Sequence, residues 1–314
     1  MEYIPKHYLL TNPVFWEEPF IDWKYTKSVL VTAYDLLRNE SLLYYLDSHS
    51  MTLRELMIER GFPPSTKIFA DSGIFSLEWF KLVNGRTFKQ DYSNVHLKAK
   101  EVLSAYAIID PDYLCPLDEI ILATDKDVLV KEKIEKIKTN TLAALECFPS
   151  SRIIGIIQGI REEEITEIFD FEKEQGIRIF ARGGLIPLFY KDSYCRIIRF
   201  TREITKNFLL HAFGLTKLNQ ICCYGKCLGI DSFDSTIIRW LTTQFFFLTP
   251  DLEIKRFNED LLLSCSCTFC LELQDLQFAL MDAPSANFTK NLYLHNVLIL
   301  NEYSKELEKI FSFL

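Results

Sequence analysis

The sequence predicts an α/β fold, specifically a (β/α)8 TIM barrel, from two regularities and one absence. Short apolar segments alternate with helical segments between residues 28 and 235, as is typical of parallel βαβ units. Each apolar segment ends in acidic, amide or glycine residues, and barrel enzymes keep their chemistry at the carboxyl ends of their strands. The pattern GxGxxG opens none of the helices, so a doubly wound sheet is the second choice.

Seven strands can be read from the apolar segments, and an eighth is not placed. In chain order they are Ser28–Ala33, Lys67–Ala70, Tyr113–Leu117, Arg152–Ile157, Gly176–Ala181, Phe208–His211 and Gly229–Asp234. The last strand carries Asp231 and Asp234 around Phe233. Because a buried, unpaired carboxylate is costly, we expect Asp234 at the strand tip, facing the barrel mouth.

Apolar residues at helical spacing predict a helix between most neighbouring strands. The predicted helices are Leu36–Leu46, Thr52–Arg60, Val95–Tyr106, residues 126–147, Glu162–Glu174 and Ser193–Thr205. Gly61 and Pro63 end the second of them. Lysines and glutamates interleave along residues 126–147, which indicates a solvated face more than a nucleic-acid surface.

Three regions are predicted along the chain. Residues 1–25 are rich in aromatic side chains and irregular, and we interpret them as an N-terminal capping segment. Residues 26–250 form the barrel, which is the catalytic region. Residues 251–314 form a small zinc-binding subdomain and a C-terminal helix.

Composition excludes several classes of protein. The chain has 314 residues, 48% of them hydrophobic, so it can bury a large core and is not disordered. It has no apolar run of membrane-spanning length and no secretory leader pattern, so a cytoplasmic location is expected. The net charge of -8 means that nucleic acid could be bound only through a local basic patch. Without a secretory signal, the nine cysteines indicate thiols or a metal rather than disulfides.

One cysteine cluster has the spacing of a metal site. Cys265, Cys267 and Cys270 form a CxCxxC pattern, and His295 follows on the next helical segment. Three thiolates and one imidazole complete a tetrahedral zinc shell with no open position, which predicts a structural Zn2+ site. A second cluster lacks a nearby histidine and is assigned to packing: Cys222, Cys223 and Cys227.

The polar strand ends, taken in order with the zinc pattern, resemble the tRNA-guanine transglycosylase superfamily. The matching pieces are Asp71-Ser72-Gly73, Pro116-Leu117-Asp118, Gln158-Gly159, Gly183-Gly184-Leu185-Ile186-Pro187, His211-Ala212-Phe213-Gly214, Gly229 to Ser235, and the Cys265/Cys267/Cys270/His295 set. The pieces look most like the archaeal-type branch. Ile74 stands where a second glycine is usual and Ser76 where glutamine is common, and these departures resemble the related enzymes that place 7-deazaguanines in DNA (DpdA-like).

The resemblance implies a base exchange and a role for each matching residue. Asp234 would be the nucleophile that attacks C1′ of a guanosine, and Asp71 the general acid and base. Asp118 would accept from the N1–H and N2–H donors of guanine, with Asp110 and Asp112 as neighbouring alternatives. The remaining substrate-binding residues would be Gln158, Gly183, Gly184 and Ser72, with Gln158 and the Gly184 N–H holding O6.

The resemblance also implies the partners: a nucleic acid and a free 7-deazaguanine base, such as 7-cyano-7-deazaguanine. DNA is favoured over tRNA, because the motifs look closer to the DNA-acting relatives and the sequence leaves no room for the RNA-binding domains of archaeal tRNA enzymes. A homodimer and a helper ATPase or helicase that opens DNA are further expectations. The alternatives are the same exchange on tRNA, a non-catalytic partner subunit, and a hydrolase that cleaves the glycosidic bond without exchange.

Local basic residues are candidates for phosphate contacts, although ordinary structural roles compete for most of them. They are Arg178, Arg182, Arg199, Arg202, Lys255 and Arg256.

Overall fold

The structure is a computed structural model that describes residues 2–5, 28–75, 96–185, 193–215, 229–235, 237–257, 264–275, 288, 291–300 and 302. The chain forms two compact units, which are described separately. The larger unit is Lys6–Phe213, and the smaller unit joins Met1–Pro5 to Gly214–Leu314. The three-region division predicted from the sequence remains a prediction.

Strands and helices alternate along the larger unit, as the sequence predicts. Its strands are β2 (Ser28–Thr32), β3 (Lys67–Asp71), β4 (Tyr113–Leu114), β5 (Ile154–Ile157), β6 (Ile179–Arg182) and β7 (Leu209–Ala212). Its helices are α1 (Ala33–Leu37), α2 (Glu40–Ser48), α3 (Leu53–Glu59), α4 (Ala99–Ile109), α5 (Asp127–Cys147), α6 (Glu162–Glu174) and α7 (Ser193–Ile204).

Within the described residues of the larger unit, the strand pairs are parallel. β3 pairs with β2 on one side and with β4 on the other, and β6 pairs with β5 and β7. A parallel bridge between Leu114 and Ile153 connects the β4 side to the β5 side. Parallel strands end at one edge of their sheet, so the residues that follow β3, β4, β5 and β6 lie along a common edge.

The core of the larger unit is apolar on both faces of its strands. Every residue of β5 is buried, the pattern expected of a parallel strand that is covered on both sides. α5 and α6 share an apolar cluster with Ile121 of the loop before α5; its helical members are Val130, Ile134, Ile137 and Ile168. The predicted solvated face of α5 is confirmed, since Lys131, Glu132 and Glu135 are exposed.

Local side-chain chemistry explains where the first helices begin. Thr32 Oγ1 accepts from Asp35 N at 3.2 Å and caps α1. Asn39 Oδ1 accepts from Leu42 N at 3.0 Å and caps the start of α2. The predicted helix Leu36–Leu46 is therefore two helices, α1 and α2. Thr52 and Glu55 form a reciprocal capping box at the start of α3.

β4 is shorter than the predicted strand Tyr113–Leu117. The strand ends at Leu114, and Pro116 has no N–H with which to continue a ladder. Cys115 N still donates to Ala70 O at 2.9 Å. The chain therefore leaves the sheet just before Asp118.

The smaller unit contains β1 (Glu2–Pro5), β8 (Ser232–Ser235), β9 (Phe246–Leu248) and β10 (Ile254–Arg256). β1 and β8 pair in parallel, with Ile4 opposite Asp234, whereas β9 and β10 form an antiparallel pair. The helices are α8 (Ile237–Thr243), α9 (Thr268–Asp275) and α10 (residues 291–300).

β1 was not predicted, because a four-residue strand that ends in proline carries little sequence signal. It is the part of residues 1–25 that the structure describes, so the remainder of the predicted capping segment lies outside the described residues. Among the described residues, eight strands take part in parallel pairs, the number that a (β/α)8 barrel requires. Over the same residues, none of the helices combines the length and apolarity needed to cross a membrane.

Candidate active site and candidate metal centre

Asp71 is the last residue of β3 and lies opposite Thr32 of β2. Its Oδ2 accepts from Gly73 N at 3.2 Å, so the carboxylate closes the turn that follows the strand. Ser72 is fully buried, and its Oγ accepts from Ile74 N at 3.3 Å. These contacts hold the strand end in one conformation while the Asp71 side chain remains partly exposed.

The loop that carries Asp118 is tied to two helices through its backbone carbonyls. Tyr106 Oη donates to Cys115 O at 2.6 Å, and burial raises the pKa of this phenol well above 10. Asn140 Nδ2 donates to Leu117 O at 2.8 Å. Lys133 Nζ donates to Ile120 O at 2.6 Å. A loop held at three carbonyls presents its carboxylate in a fixed position.

Asp118 is buried beside Gln158, whose Nε2 donates to Asp118 Oδ2 at 2.5 Å. Burial raises the pKa of the Asp118 carboxyl to about 7, and the negative charge of Asp71 adds to the rise. The hydrogen bond from Gln158 acts in the opposite direction. The acid therefore titrates near neutral pH, a property that is concentrated at functional sites.

The Gln158 amide lies against the backbone of Gly183 and Gly184. A Cβ at Gly183 would lie 2.3 Å from Gln158 Nε2, and one at Gly184 would lie 2.6 Å from Gln158 Oε1. Gly184 also has φ +65°, in the left-handed region that favours glycine. A side chain at either position would displace the Gln158 amide from its place beside Asp118, so the two glycines together form a support for the amide.

Gln158 Oε1 is buried and has no hydrogen-bond partner among the described residues. An unsatisfied buried acceptor costs about 1–3 kcal/mol. A ligand that donates at this point would recover that free energy, which marks the Asp118–Gln158 pair as a place where a polar ligand is held.

Asp110 and Asp112, the sequence alternatives to Asp118, form ion pairs with basic side chains. Asp112 forms ion pairs with Arg54 at 2.6 Å and Lys67 at 2.8 Å. Burial alone would raise the pKa of Asp112, but the hydrogen bonds from Arg54 and Lys67 lower it by more, to about 2. Asp110 pairs with Arg54 and Arg152. Both acids precede β4, at the sheet edge opposite Asp118.

Asp234 belongs to the smaller unit and lies in β8. Its side chain is 4% exposed, and Oδ1 accepts from Gly214 N at 2.8 Å. The next residue, Ser235, accepts from Ile237 N at 3.1 Å and starts α8. Asp231, the alternative nucleophile, is exposed and precedes the strand. Of the two acids, Asp234 has the more restricted carboxylate.

The predicted metal ligands converge in the smaller unit. The Nδ1 atom of His295 lies 3.7 Å from Cys265 Sγ and 3.3 Å from the sulfurs of Cys267 and Cys270. All four ligand atoms lie within 4.8 Å of one another. A tetrahedral zinc ion with ordinary bond lengths requires nitrogen–sulfur distances of about 3.6 Å. The donor set and its spacing are therefore consistent with a structural zinc site.

The surroundings of the cluster fix the histidine as a ligand. His295 Nε2 lies 2.9 Å from Leu248 O, to which it donates, so Nδ1 carries the lone pair that a metal needs. Phe247 stacks on the imidazole with ring centroids 3.9 Å apart. The second cysteine cluster, Cys222, Cys223 and Cys227, lies outside the described residues.

The thiols of the cluster perturb one another. Hydrogen bonds with Cys267 and Cys270 lower the pKa of the Cys265 thiol, and hydrogen bonds with Cys265 and Cys267 raise that of Cys270. A divalent cation would let all three thiols ionise, because it supplies the opposite charge.

Two buried residues near the site were misjudged or missed in the sequence. Arg182, a candidate for phosphate contact, is 1% exposed, so that prediction is wrong for this residue. Glu172 of α6 is fully buried, and its Oε1 accepts from Ile156 N at 3.1 Å. A Cβ at Gly155 would lie 2.2 Å from Glu172 Oε2. A glycine within a run of isoleucines was therefore the one sequence feature that indicated a buried side chain packed against this strand.

Comparison with known families decides the classification. A family model described as queuine tRNA-ribosyltransferase (TGT) matches residues 30–310. The chain belongs to this family. A search of the curated proteins finds no match.

Membership in the queuine tRNA-ribosyltransferase family confirms the superfamily and the fold class predicted from the sequence. The family implies a TIM barrel, in agreement with the parallel α/β architecture, and a transglycosylase that exchanges guanine in a nucleic acid. It also agrees with the Cys3His cluster near the C-terminus as a structural zinc site.

Proposed function

We propose that this chain replaces guanine in DNA with a 7-deazaguanine base, such as 7-cyano-7-deazaguanine, through a covalent Asp234–sugar intermediate. Base exchange on a nucleic acid follows from the family. The polymer, the incoming base and the roles of individual residues are our proposal.

The observation that carries the proposal is the buried Asp118–Gln158 pair on its glycine support. An ionised Asp118 offers two acceptor oxygens, which suit the N1–H and N2–H donors on one edge of guanine. Gln158 Nε2 has a second hydrogen for O6, and the Gly184 N–H would complete the O6 site. Ser72 and Gly183 would line the same pocket. A purine is planar, and a flat glycine backbone accommodates it closely.

The chemistry requires two further carboxylates. The Asp234 carboxylate attacks C1′ of the target nucleoside, the C1′–N9 bond breaks, and Asp71 protonates the departing guanine. The incoming base then gives its N9 proton to Asp71, and N9 attacks C1′ while the bond to Asp234 breaks. Two displacements preserve the configuration at the sugar, and the proton count of the enzyme is restored.

The proposed Zn2+ is held by Cys265, Cys267, Cys270 and His295 and is structural. Four protein ligands leave no position for a substrate or an activated water. The ion stabilises the smaller unit, and the residues of that unit which act on substrate are those of the β8 strand.

DNA is proposed as the polymer because Ile74 and Ser76 follow the pattern of the DNA-acting relatives. The target guanine must leave the base stack, which costs a few kcal/mol. With a net charge of -8 the chain attracts duplex DNA weakly, so we expect a helper ATPase or helicase. A homodimer and a cytoplasmic location remain part of the proposal. The second candidate is exchange on tRNA, favoured by the description of the matching family.

The test is labelled-guanine exchange on duplex DNA and on tRNA transcripts, run side by side, with and without a partner ATPase. Exchange on DNA and none on tRNA supports the proposal. Efficient exchange at a single tRNA position, with DNA inert even with the ATPase, identifies the tRNA enzyme. Release of guanine without incorporation of a new base indicates a hydrolase, and no turnover on either polymer indicates a non-catalytic subunit.

A further inference from the structure

Arg182 is a buried guanidinium that bonds to the backbone on both sides of Gln158. It ends β6 and is 1% exposed. Its Nη1 donates to Ile157 O at 2.6 Å and to Gly183 O at 2.7 Å, and its Nη2 donates to Gly159 O. One planar cation thus binds three backbone carbonyls.

The three carbonyls surround the residues that we propose contact the base. Ile157 and Gly159 are the sequence neighbours of Gln158, and Gly183 is half of its glycine support. Ile157 O also accepts from Gly183 N at 3.1 Å, so both strand ends meet at this oxygen. Arg182 therefore fixes the backbone on both sides of Gln158 and the surface against which its amide lies.

The burial of this charge needs an explanation, because an ionised side chain is costly to bury and hydrogen bonds to its charged atoms offset only part of that cost. Charge-assisted hydrogen bonds are about twice as strong as neutral ones, and the guanidinium holds its donors in a rigid fork. A lysine has the same charge but no planar fork, so it cannot hold all three carbonyls in this geometry.

We infer that Arg182 is a positioning residue for base recognition, which clamps the Gln158–Gly159 and Gly183–Gly184 loops against each other. This inference rests on the proposed function, since the ligand of those loops is guanine. The tolerance is small: the Gln158 amide already fills the space where a Cβ of Gly183 or Gly184 would lie. A displacement of about 1 Å at such a site can cost a hundredfold in function.

The chain contains a matched control in Arg202. Its Nη2 also donates to three backbone carbonyls, those of Thr205, Lys206 and Phe208, at 3.1, 2.8 and 3.1 Å. These residues precede β7, at the sheet edge opposite the base pocket. Arg202 is half-buried rather than buried, so its loss removes contacts of the same kind at a different place and leaves the pocket undisturbed. A phosphate contact by Arg202 would not affect the binding of free guanine, which has no phosphate.

The experiment compares Arg182→Met, Arg182→Lys and Arg202→Met with the unmodified protein. Free guanine is the probe, its Kd is measured by calorimetry, and hydrogen exchange is followed in peptides covering residues 154–164 and 179–186. We expect at least tenfold weaker guanine binding and faster exchange in both peptides for Arg182→Met. Arg182→Lys should be intermediate, and Arg202→Met should bind guanine within twofold of the unmodified protein.

Equal guanine affinity in Arg182→Met and Arg202→Met would reduce Arg182 to a purely structural residue and overturn the inference. If Arg182→Met does not fold, Arg182→Lys decides: unchanged affinity and unchanged exchange in the two peptides overturn the clamp. If the unmodified protein binds no guanine, the proposed function fails. Faster exchange confined to the two peptides would then still identify Arg182 as the clamp of the two loops.

Discussion

Guanine binding should strengthen as the pH rises from 6 to 8, because Asp118 must be ionised to accept from the base. Burial and the charge of Asp71 raise its pKa from 3.8 to about 7 in the protein without ligand. At pH 6 about nine-tenths of the sites hold a proton that binding must displace, whereas at pH 8 about one-tenth do. The resulting change in Kd is about tenfold between these pH values.

The folded protein should respond to pH in the opposite direction. A carboxyl whose pKa is higher in the folded state than in the unfolded state stabilises the fold at low pH. That contribution is lost as the pH rises from about 4 through about 7. As the pH rises, guanine affinity therefore increases while the contribution of Asp118 to the free energy of unfolding decreases. Weaker guanine binding at low pH can thus be attributed to protonation of Asp118 and not to acid unfolding of the protein.

Calorimetry with free guanine at pH 6, 7 and 8 measures the effect, and buffers of different ionisation enthalpy report the proton released. Asp118→Asn should bind guanine weakly and with no pH dependence over the same range. A Kd that is constant between pH 6 and 8, or one that improves towards pH 6, would refute the assignment of Asp118 as the acceptor.

Three further predictions concern Glu172, the Cys3His cluster and the two carboxylates of the proposed mechanism. Burial raises the pKa of Glu172 from 4.5 to about 8, so the folded protein loses stability as the pH rises through this interval. Glu172→Gln should therefore raise the free energy of unfolding by about 3 kcal/mol at pH 7 and by much less at pH 5. A difference in unfolding free energy between the two proteins that is the same at both pH values would contradict this. Cys267→Ala should lower the melting temperature and the zinc content from one ion per chain, and native mass spectra of the unmodified protein without metal would exclude the site. Asp234→Ala should abolish base exchange and the covalent adduct seen on denaturing gels, with a stability loss of only about 1 kcal/mol. Asp71→Asn should be severely impaired in exchange. An adduct that persists in Asp234→Ala would identify Asp231 as the nucleophile instead.

The sequence alone determined the alternation of strands and helices in the larger unit and the members of the Cys3His cluster. Alternation and polar strand ends are local properties, so β3, α5, β5 and α6 were predicted within a few residues of their observed bounds. The spacing of Cys265, Cys267 and Cys270 is also local, and the structure brings the distant His295 to within 4.8 Å of the three sulfurs, as the sequence predicts. Local rules failed for β1 and for the β9–β10 hairpin, since short strands are stabilised by their partners rather than by their own residues.

Only the tertiary structure decided which polar residues lie together at the edge of the larger unit. Residue type alone does not distinguish Asp118 from Asp112, yet Asp118 is buried beside Gln158 and feels the charge of Asp71, whereas Asp112 is paired with Arg54 and Lys67. Likewise, the sequence gives no sign that Arg182 is buried. In the fold, the ends of β5 and β6 lie side by side and their backbone carbonyls surround its guanidinium. Charge and burial depend on neighbours that are distant in the chain, and for that reason the pKa of a carboxyl and the role of a buried arginine are properties of the fold.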